Sequence, residues 1–429
     1  MENSRRVQTL SSSVVRAIRI AHLAAIVTVA LVLIWALSRP SGQPEVLLYS
    51  RRDLTYHGIV GALLLILLTA YRLRLHRALA KRARLICMCL LFHAIVLILF
   101  EATIRILDPL GISDLNNQRI IKQRVVRLDT PPVGKGLHPN VNIRLRGWSV
   151  ITNSYGFRDD AFPEQKPPNE RRLLMLGDSF LFGHGVDQDK IATAVLERQL
   201  LVASGHLWQV INTGVGSYAT HEQRLIVNTA AERFDVDAVL LLYCLNDCQA
   251  RFIRFSNVHE IPDYVPAGTR SSPSAYAVLA QRLWRPPLSL YPRILDYVHW
   301  FIKARRQAAP PQPLNESDWA WRFSRENLEL IKRRCDALDI PLVIAYLNHY
   351  ESSAPGSFSM SVSSALEDFC RCHAIPYYDL REPSLRRGLQ NHRNSYIDGH
   401  PNADGQVILA DILFDILVQE HVGALGTAP

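Results

Sequence analysis

Four side chains in this sequence, Ser179, Asn246, Asp398 and His400, are of the types that together drive attack of a hydroxyl on a carbonyl carbon. A serine hydroxyl is a weak nucleophile until an adjacent base takes its proton, and the base needs a third group to fix its tautomer and orientation. Ser179 lies in Gly-Asp-Ser-Phe at 177–180, and His400 lies in Asp-Gly-His-Pro-Asn at 398–402, so His400 fits the base and Asp398 the orienting acid. The tetrahedral oxyanion of such a reaction needs donors aimed at it. Asn246, in Leu-Asn-Asp at 245–247, offers an amide, and the backbone N–H of Ser179 offers a second donor. Between them, Asn-Thr-Gly-Val-Gly-Ser-Tyr at 212–218 carries two glycines, which let backbone approach a ligand with no side chain between. Each segment alone is ordinary turn or Asx chemistry.

Their order along the chain gives them weight, because each stands where a parallel sheet would present it. Short apolar runs at 173–176, 209–211, 238–243, 342–346 and 376–378 read as strands. Amphipathic patterns at about 190–203, 219–233, 322–337, 361–371 and 403–419 read as helices between and after them. Continuous apolar strands alternating with such helices indicate an α/β sheet of about five parallel strands covered on both faces. Ligands of such sheets collect at the carboxyl ends of the strands. Three of the polar segments follow the first three strands, and the histidine segment precedes the last helix. The stretch 249–320 breaks the alternation with many prolines and aromatics, and it is expected to be a partly helical cover over the site or plain surface packing.

Upstream of this region the composition changes. Three runs without Lys, Arg, Asp or Glu, at about 20–37, 55–71 and 85–101 with Glu101 closing the last, approach the length of a bilayer-spanning helix. A cleaved leader followed by buried helices fits less well, since a secretory apolar core is only about 7–15 residues long. Residues 1–19 carry a net +3 and residues 72–84 a net +6, which together make up the whole formal charge of +9. Basic flanks stay in the cytoplasm, so the N-terminus is expected inside and everything after the third span outside. The rest of the chain has no surplus positive charge, which argues against a nucleic-acid partner. The expected organisation is a membrane anchor over 1–107, a linker over 108–145, and a catalytic domain over 146–429.

The seven cysteines add little. Cys87 and Cys89 fall in the third run, and the Cys-Arg-Cys-His stretch at 370–373 has no second pair at zinc-ligand spacing. It reads as a helix end, with a bridge to Cys335 as an option. No metal or other cofactor is expected. An α/β-hydrolase elbow, a Walker loop and a dinucleotide fingerprint are all missing from the sequence. His184 and His221, which flank the first two segments, are expected to be supporting or surface residues.

The four segments, in this order, resemble the blocks of the SGNH (GDSL-like) hydrolase superfamily, and Thr-Asn-Ser-Tyr-Gly-Phe-Arg-Asp at 152–159 is similar to a stretch preceding the first block in bacterial members. The resemblance covers about 150–420. It implies a three-layer α/β/α flavodoxin-like fold, Ser179 as nucleophile, and an oxyanion hole built from the N–H groups of Ser179 and Gly216 and the side chain of Asn246. Two positions depart from the pattern. Cys244 stands where the third block usually has Gly, and Asp398 precedes His400 by two residues instead of three. The shorter spacing is similar to that in alginate O-acetylation proteins of the same superfamily.

These readings imply a serine esterase in a bacterial inner or cell membrane, with its domain outside the cytoplasm, acting on an acetyl or short acyl ester of a carbohydrate or lipid. Two alternatives accompany it. One is an O-acyltransferase that modifies a cell-surface or exported polysaccharide together with a multi-pass membrane acyltransferase. The other is a glycan-binding module without catalysis.

Overall fold

The computed structural model describes residues 114–128, 133–249, 318–348, 357–395 and 398–420, with scattered positions from 91 to 107 and at 253, 264 and 313–315. Among these, no helix is long and apolar enough to cross a membrane. The three expected spans lie outside the described residues, apart from isolated helical positions between Leu91 and Leu99 in the third. Most of the 249–320 stretch also lies outside them. The elements that follow belong to one compact unit, Leu110–Ser272 with Ala304–Pro429.

Strands β5 (Glu170–Leu176), β6 (Leu207–Asn212), β7 (Ala238–Cys244), β8 (Leu342–Leu347) and β9 (Tyr377–Asp379) form one sheet in the order β6-β5-β7-β8-β9. Every pairing in it is parallel. These are the five strands read from the apolar runs. Strand β7 is buried at all seven positions, which is why its sequence, AVLLLYC, shows no polar alternation.

Alternate residues of each strand serve two separate cores. Leu174, Leu176, Leu241, Ile344 and Tyr346 pack against helices α4 (Thr220–Arg233), α5 (Trp319–Ala337) and α6 (Phe358–Cys372). Leu173, Met175, Leu240, Val343 and Ala345 pack against α3 (Ala192–Ser204) and α8 (Ala403–Gln419) on the other face. The three layers follow from this period of two, and each fully buried aliphatic side chain contributes about 1.5–3 kcal/mol. Two short helices complete the set, α2 (Ser179–Phe182) after β5 and α7 (Arg381–Arg386) after β9.

The chain leaves β5, crosses to β6 on one side, and returns to β7 on the other. A topological switch point of an α/β sheet lies where adjacent strands send their connections in opposite directions, here between β5 and β7. Ser179 follows β5, the 213–218 loop follows β6, and Asn246 follows β7. All three segments therefore leave the sheet around that switch point.

The stretch expected as a linker is structured. Helix α1 (Asp114–Arg124) is followed by two antiparallel pairs, β1 (Val126–Arg127) with β2 (Gly136–Leu137) and β3 (Asn142–Arg144) with β4 (Ser149–Ile151). Ile121, Val125, Val133, Leu137 and Leu145 are buried in the same core as the sheet. The sequence of α1, DLNNQRIIKQR, has too few apolar residues to draw the stripe that marks a helix.

Candidate active site

The first polar segment forms a tight strand-to-helix turn. The Asp178 side chain accepts from the Phe180 N–H at 2.9 Å and its carbonyl accepts from the Phe182 N–H at 2.9 Å, so Asp178 caps α2. Ser179 is the first residue of that helix, where backbone N–H groups have no partner within the helix.

Ser179, His400 and Asp398 meet as one hydrogen-bonded chain. The Ser179 hydroxyl lies 2.8 Å from His400 Nε2, and His400 Nδ1 lies 2.5 Å from Asp398 Oδ1. Asp398 Oδ1 also accepts the His400 backbone N–H at 3.2 Å, so the two-residue spacing closes on both ring and backbone. Asn394 clamps the carboxylate from the other side, donating through Nδ2 to Asp398 Oδ2 at 2.9 Å and to the His184 carbonyl at 2.7 Å. Its backbone N–H meets the His400 carbonyl at 2.9 Å. No sequence motif marks Asn394.

Charge separates the two titrating partners. Burial pushes the Asp398 carboxyl up, but the hydrogen bond and charge of His400, with His184 and Asn394, outweigh it and bring the group down to about 2. Burial pulls His400 down, but the bond to Asp398 and the charges of Asp398, Asp178 and Asp114 outweigh it and leave the imidazole above its ordinary value. A carboxylate that stays ionised beside an easily protonated imidazole is the arrangement a proton-accepting histidine needs.

Two glycines of the second segment have different tasks. A Cβ on Gly214 would lie 2.5 Å from the Phe182 nitrogen and 2.9 Å from the Asp178 carbonyl oxygen, so the loop is packed backbone to backbone against the Ser179 turn. A Cβ on Gly216 would meet only Ser179 Cβ, at 3.8 Å. Gly216 therefore borders the serine, whereas Gly214 serves packing instead of the ligand approach expected of both. Between this loop and the serine turn, Asn212 Nδ2 donates to the Leu181 carbonyl at 3.0 Å. Ser217 holds a left-handed φ of 65°, an uncommon conformation for a non-glycine residue. Lys135 donates to the Gly216 carbonyl, and its own carbonyl accepts from the Tyr218 hydroxyl at 2.7 Å.

Asn246 sits in a single 3₁₀ turn, Leu245–Cys248, at the end of β7. Its Nδ2 donates to the Tyr218 carbonyl at 3.1 Å, and its amide also bonds the Asp178 carboxylate. Asn246 thus touches both neighbouring segments one residue from the serine. Behind it, the buried Asp247 accepts from the Cys244 N–H at 2.7 Å and from Gln223 Nε2 at 3.1 Å. Burial, then the charge of Asp178, pushes the Asp247 carboxyl well up.

The 152–159 stretch braces the site from below. The guanidinium of Arg158 is fully buried and donates to the carbonyls of Phe182, Gly183, Val186 and Ser149. Its ring contacts are Trp148 and Phe182, and burial lowers its pKa to about 9 against the pull of Asp187. Asp159 accepts from the Asn212 N–H at 3.1 Å. One dipeptide therefore fastens both the serine turn and the second segment.

His184 and His221 are both buried. His221 lies 3.3 Å from Glu222, and His184 Nε2 lies 3.0 Å from Asp114 Oδ2. Asp114, His184 and Asp398 bring one ligand-type atom each within 4.8 Å of one another, a spacing compatible with a cation, yet Asp114 bonds His184, and the two Asp398 oxygens are taken by His400 and Asn394. Cys335 and Cys370, offered as bridge partners, are free and buried, and Cys372 is free and exposed.

No family model matches this chain, and no curated protein matches it. Solved structures similar to it include a psychrotrophic esterase, EstA, from Pseudoalteromonas sp., inhibited by monoethylphosphonate, at 12% identity over 58% of this chain and 98% of that chain, with a TM-score of 0.35. A lipase/acylhydrolase from Enterococcus faecalis is similar at 12% identity over 58% of this chain and 96% of that one, with a TM-score of 0.35. An acetyl xylan esterase, AlAXEase, is similar at 13% identity over 57% and 99%, with a TM-score of 0.34. What defines the class is internal to the chain: a parallel α/β sheet with a Ser-His-Asp hydrogen-bond chain where its strands end.

Proposed function

We propose that this chain is a serine esterase of the SGNH type, held to a bacterial membrane by its N-terminal region, that cleaves an acetyl or short acyl ester of a carbohydrate or lipid. The observation that carries the reading is the continuous bond chain from Ser179 through His400 to Asp398.

In this reading His400 Nε2 removes the Ser179 proton as Oγ bonds to the ester carbonyl carbon. The carbonyl electrons move onto oxygen, where the N–H groups of Ser179 and Gly216 and the Asn246 amide receive the charge. For that, Asn246 must turn one N–H away from Tyr218 or Asp178. The intermediate collapses by breaking the bond to the alcohol oxygen, which takes the proton from His400. An acyl-serine remains, and water activated by His400 releases the acid. Asp398 stays ionised throughout and balances the imidazolium.

A phosphonate probe tests the assignment directly. The full-length protein should be labelled at Ser179, and Ser179→Ala should lose both labelling and hydrolysis, by roughly 10⁴–10⁶-fold in turnover. Absence of labelling on folded wild type would leave a glycan-binding module as the reading. Comparing acetylated sugars with longer acyl esters then defines the acyl group.

The two-residue spacing of Asp398 and His400 supports one second reading, in which a polysaccharide hydroxyl replaces water and a membrane acyltransferase supplies the acyl donor. A competition assay with glycan and water present separates the two, since acylated glycan forms only in transfer. The anchor rests on the apolar runs and basic flanks of the first hundred residues. Retention of the protein in membranes after an alkaline wash tests it.

A further inference from the structure

A second acid–imidazole pair stands directly behind the first. Asp114, the first residue of α1, bonds His184 Nε2 through Oδ2 at 3.0 Å, and the same oxygen accepts from Gln118 Nε2 at 3.0 Å. The helix carrying it is fixed in turn by Asn117, whose side chain bonds both the N–H and the carbonyl of Arg146, each at 3.1 Å. His184 is nearly enclosed, with the Trp148 ring 5.2 Å away at a steep angle.

The His400 ring contacts two others, Phe180 at 5.0 Å and His184 at 5.0 Å between centroids. His184 also reaches Asp398 through its main chain, because its carbonyl holds the Asn394 amide that clamps the carboxylate. Gly185 makes room for this contact: with φ at 87°, any Cβ there would run into the Asn394 side chain. Among the described residues, the charged and titratable groups facing His400 include Asp398 on its own loop, Asp178 before α2, Asp114 on α1 and His184 after α2.

We propose that Asp114 and His184 are positioning residues for the reaction at Ser179, Asp114 locking the His184 ring so that it holds the His400 ring in place and keeps the Asn394 clamp on Asp398. The inference rests on the esterase reading given above. It assigns work to the segment before the sheet, because without α1 the His184 ring loses its hydrogen bond to the Asp114 carboxylate. Asp114 also acts at a distance, as a fixed negative charge that favours the imidazolium His400 becomes.

The test uses the full-length chain, with Ser179 phosphonate labelling and ester hydrolysis followed from pH 5 to 9. In Asp114→Asn, kcat/KM on the plateau falls by up to about tenfold, since loss of the hold on the His184 ring adds to removal of the weakest of the three carboxylate charges acting on His400. The fall lies in kcat with KM nearly unchanged, and the acid limb moves to lower pH. Asp114→Glu recovers most of the rate and returns the limb towards its original position. His184→Gln lowers kcat without needing any change in charge at 114, and it gives a second reading should Asp114→Asn fail to fold. Coincident pH profiles for wild type and a folded Asp114→Asn overturn the inference while the esterase reading stands. If wild type neither labels nor hydrolyses, the esterase reading has failed, and the inference with it.

Discussion

Cys244 turns its thiol towards the Asp178 carboxylate, with Sγ 3.6 Å from Oδ1. Burial, with the charges of Asp178 and Asp247, pushes the thiol pKa well up, so the group is a neutral donor. The residue stands where the resembling blocks carry glycine, yet its backbone is extended at φ −120° and ψ 163°, a conformation any residue adopts. The departure from Gly therefore costs the loop nothing, and it adds a donor to the acid beside the nucleophile.

Cys244→Gly should accordingly keep turnover within a few-fold while losing stability. The change removes a buried side chain from the end of a central strand and frees its backbone, a loss of about 1–3 kcal/mol. Thermal denaturation of wild type, Cys244→Gly and Cys244→Ser checks this. Serine retains a hydroxyl donor towards Asp178 and should fall between the other two. A Cys244→Gly protein as stable as wild type would show that the thiol contact contributes nothing.

The two glycines of the second segment should respond to alanine in opposite ways. At Gly214 the new methyl meets backbone of the Ser179 turn at 2.5–2.9 Å, and backbone cannot swing aside as a side chain tip can. Gly214→Ala should therefore lower the melting temperature and displace the turn, with turnover down on the order of 10²-fold for a shift near 1 Å. Gly216→Ala meets only Ser179 Cβ at ordinary contact distance, so it should fold as wild type does. Its cost should appear in turnover alone, because the methyl occupies space beside the reacting hydroxyl. Equal melting temperatures for the two variants would contradict this division.

Asn246→Ala removes an amide that joins the Tyr218 carbonyl to Asp178 and is assigned to the oxyanion. A lost oxyanion donor costs on the order of 10²–10³ in turnover. Asn246→Asp keeps the size but replaces the donor by an acceptor next to Asp178, so it should be at least as impaired. Steady-state rates on a small acyl ester decide it, and normal turnover in Asn246→Ala would remove the residue from the oxyanion site.

The sheet was legible because parallel strands buried on both faces leave continuous apolar runs, as in Ala238–Cys244. Ser179, Asp398 and His400 were legible because residue chemistry and position after a strand or before a helix coincide. Asp114 was not, since its partner His184 is 70 positions away and its polar helix looks like linker. The Asn394 clamp was hidden for a similar reason: its meaning depends on the His184 carbonyl, 210 positions earlier. Arg158 and Asp159 stand in a recognisable stretch of sequence, but only three-dimensional contact shows that they brace the serine turn and Asn212.

The Asp398–His400 pair should also leave a signature in stability against pH. An Asp titrating near 3.9 when unfolded and about 2 when folded stabilises the protein above about pH 4, and that contribution is lost as pH falls through the folded value. For His400 the sign is reversed. Its folded pKa is raised, so its contribution is complete below the unfolded value of about 6.5 and disappears as pH rises through the folded one. Both terms are present together between about pH 4 and 6.5, and the pair should support the fold most strongly there. The measurement is the melting temperature from pH 3 to 9 for wild type and for Asp398→Asn/His400→Gln, a double variant that retains hydrogen-bonding shape without either charge. The difference between the curves should peak inside that window and shrink on both sides. A difference independent of pH would mean that the two groups interact through packing and not through charge. The same bond that raises His400 also predicts that the acid limb of kcat/KM lies above the ordinary imidazole value of about 6.5 and moves down in Asp398→Asn.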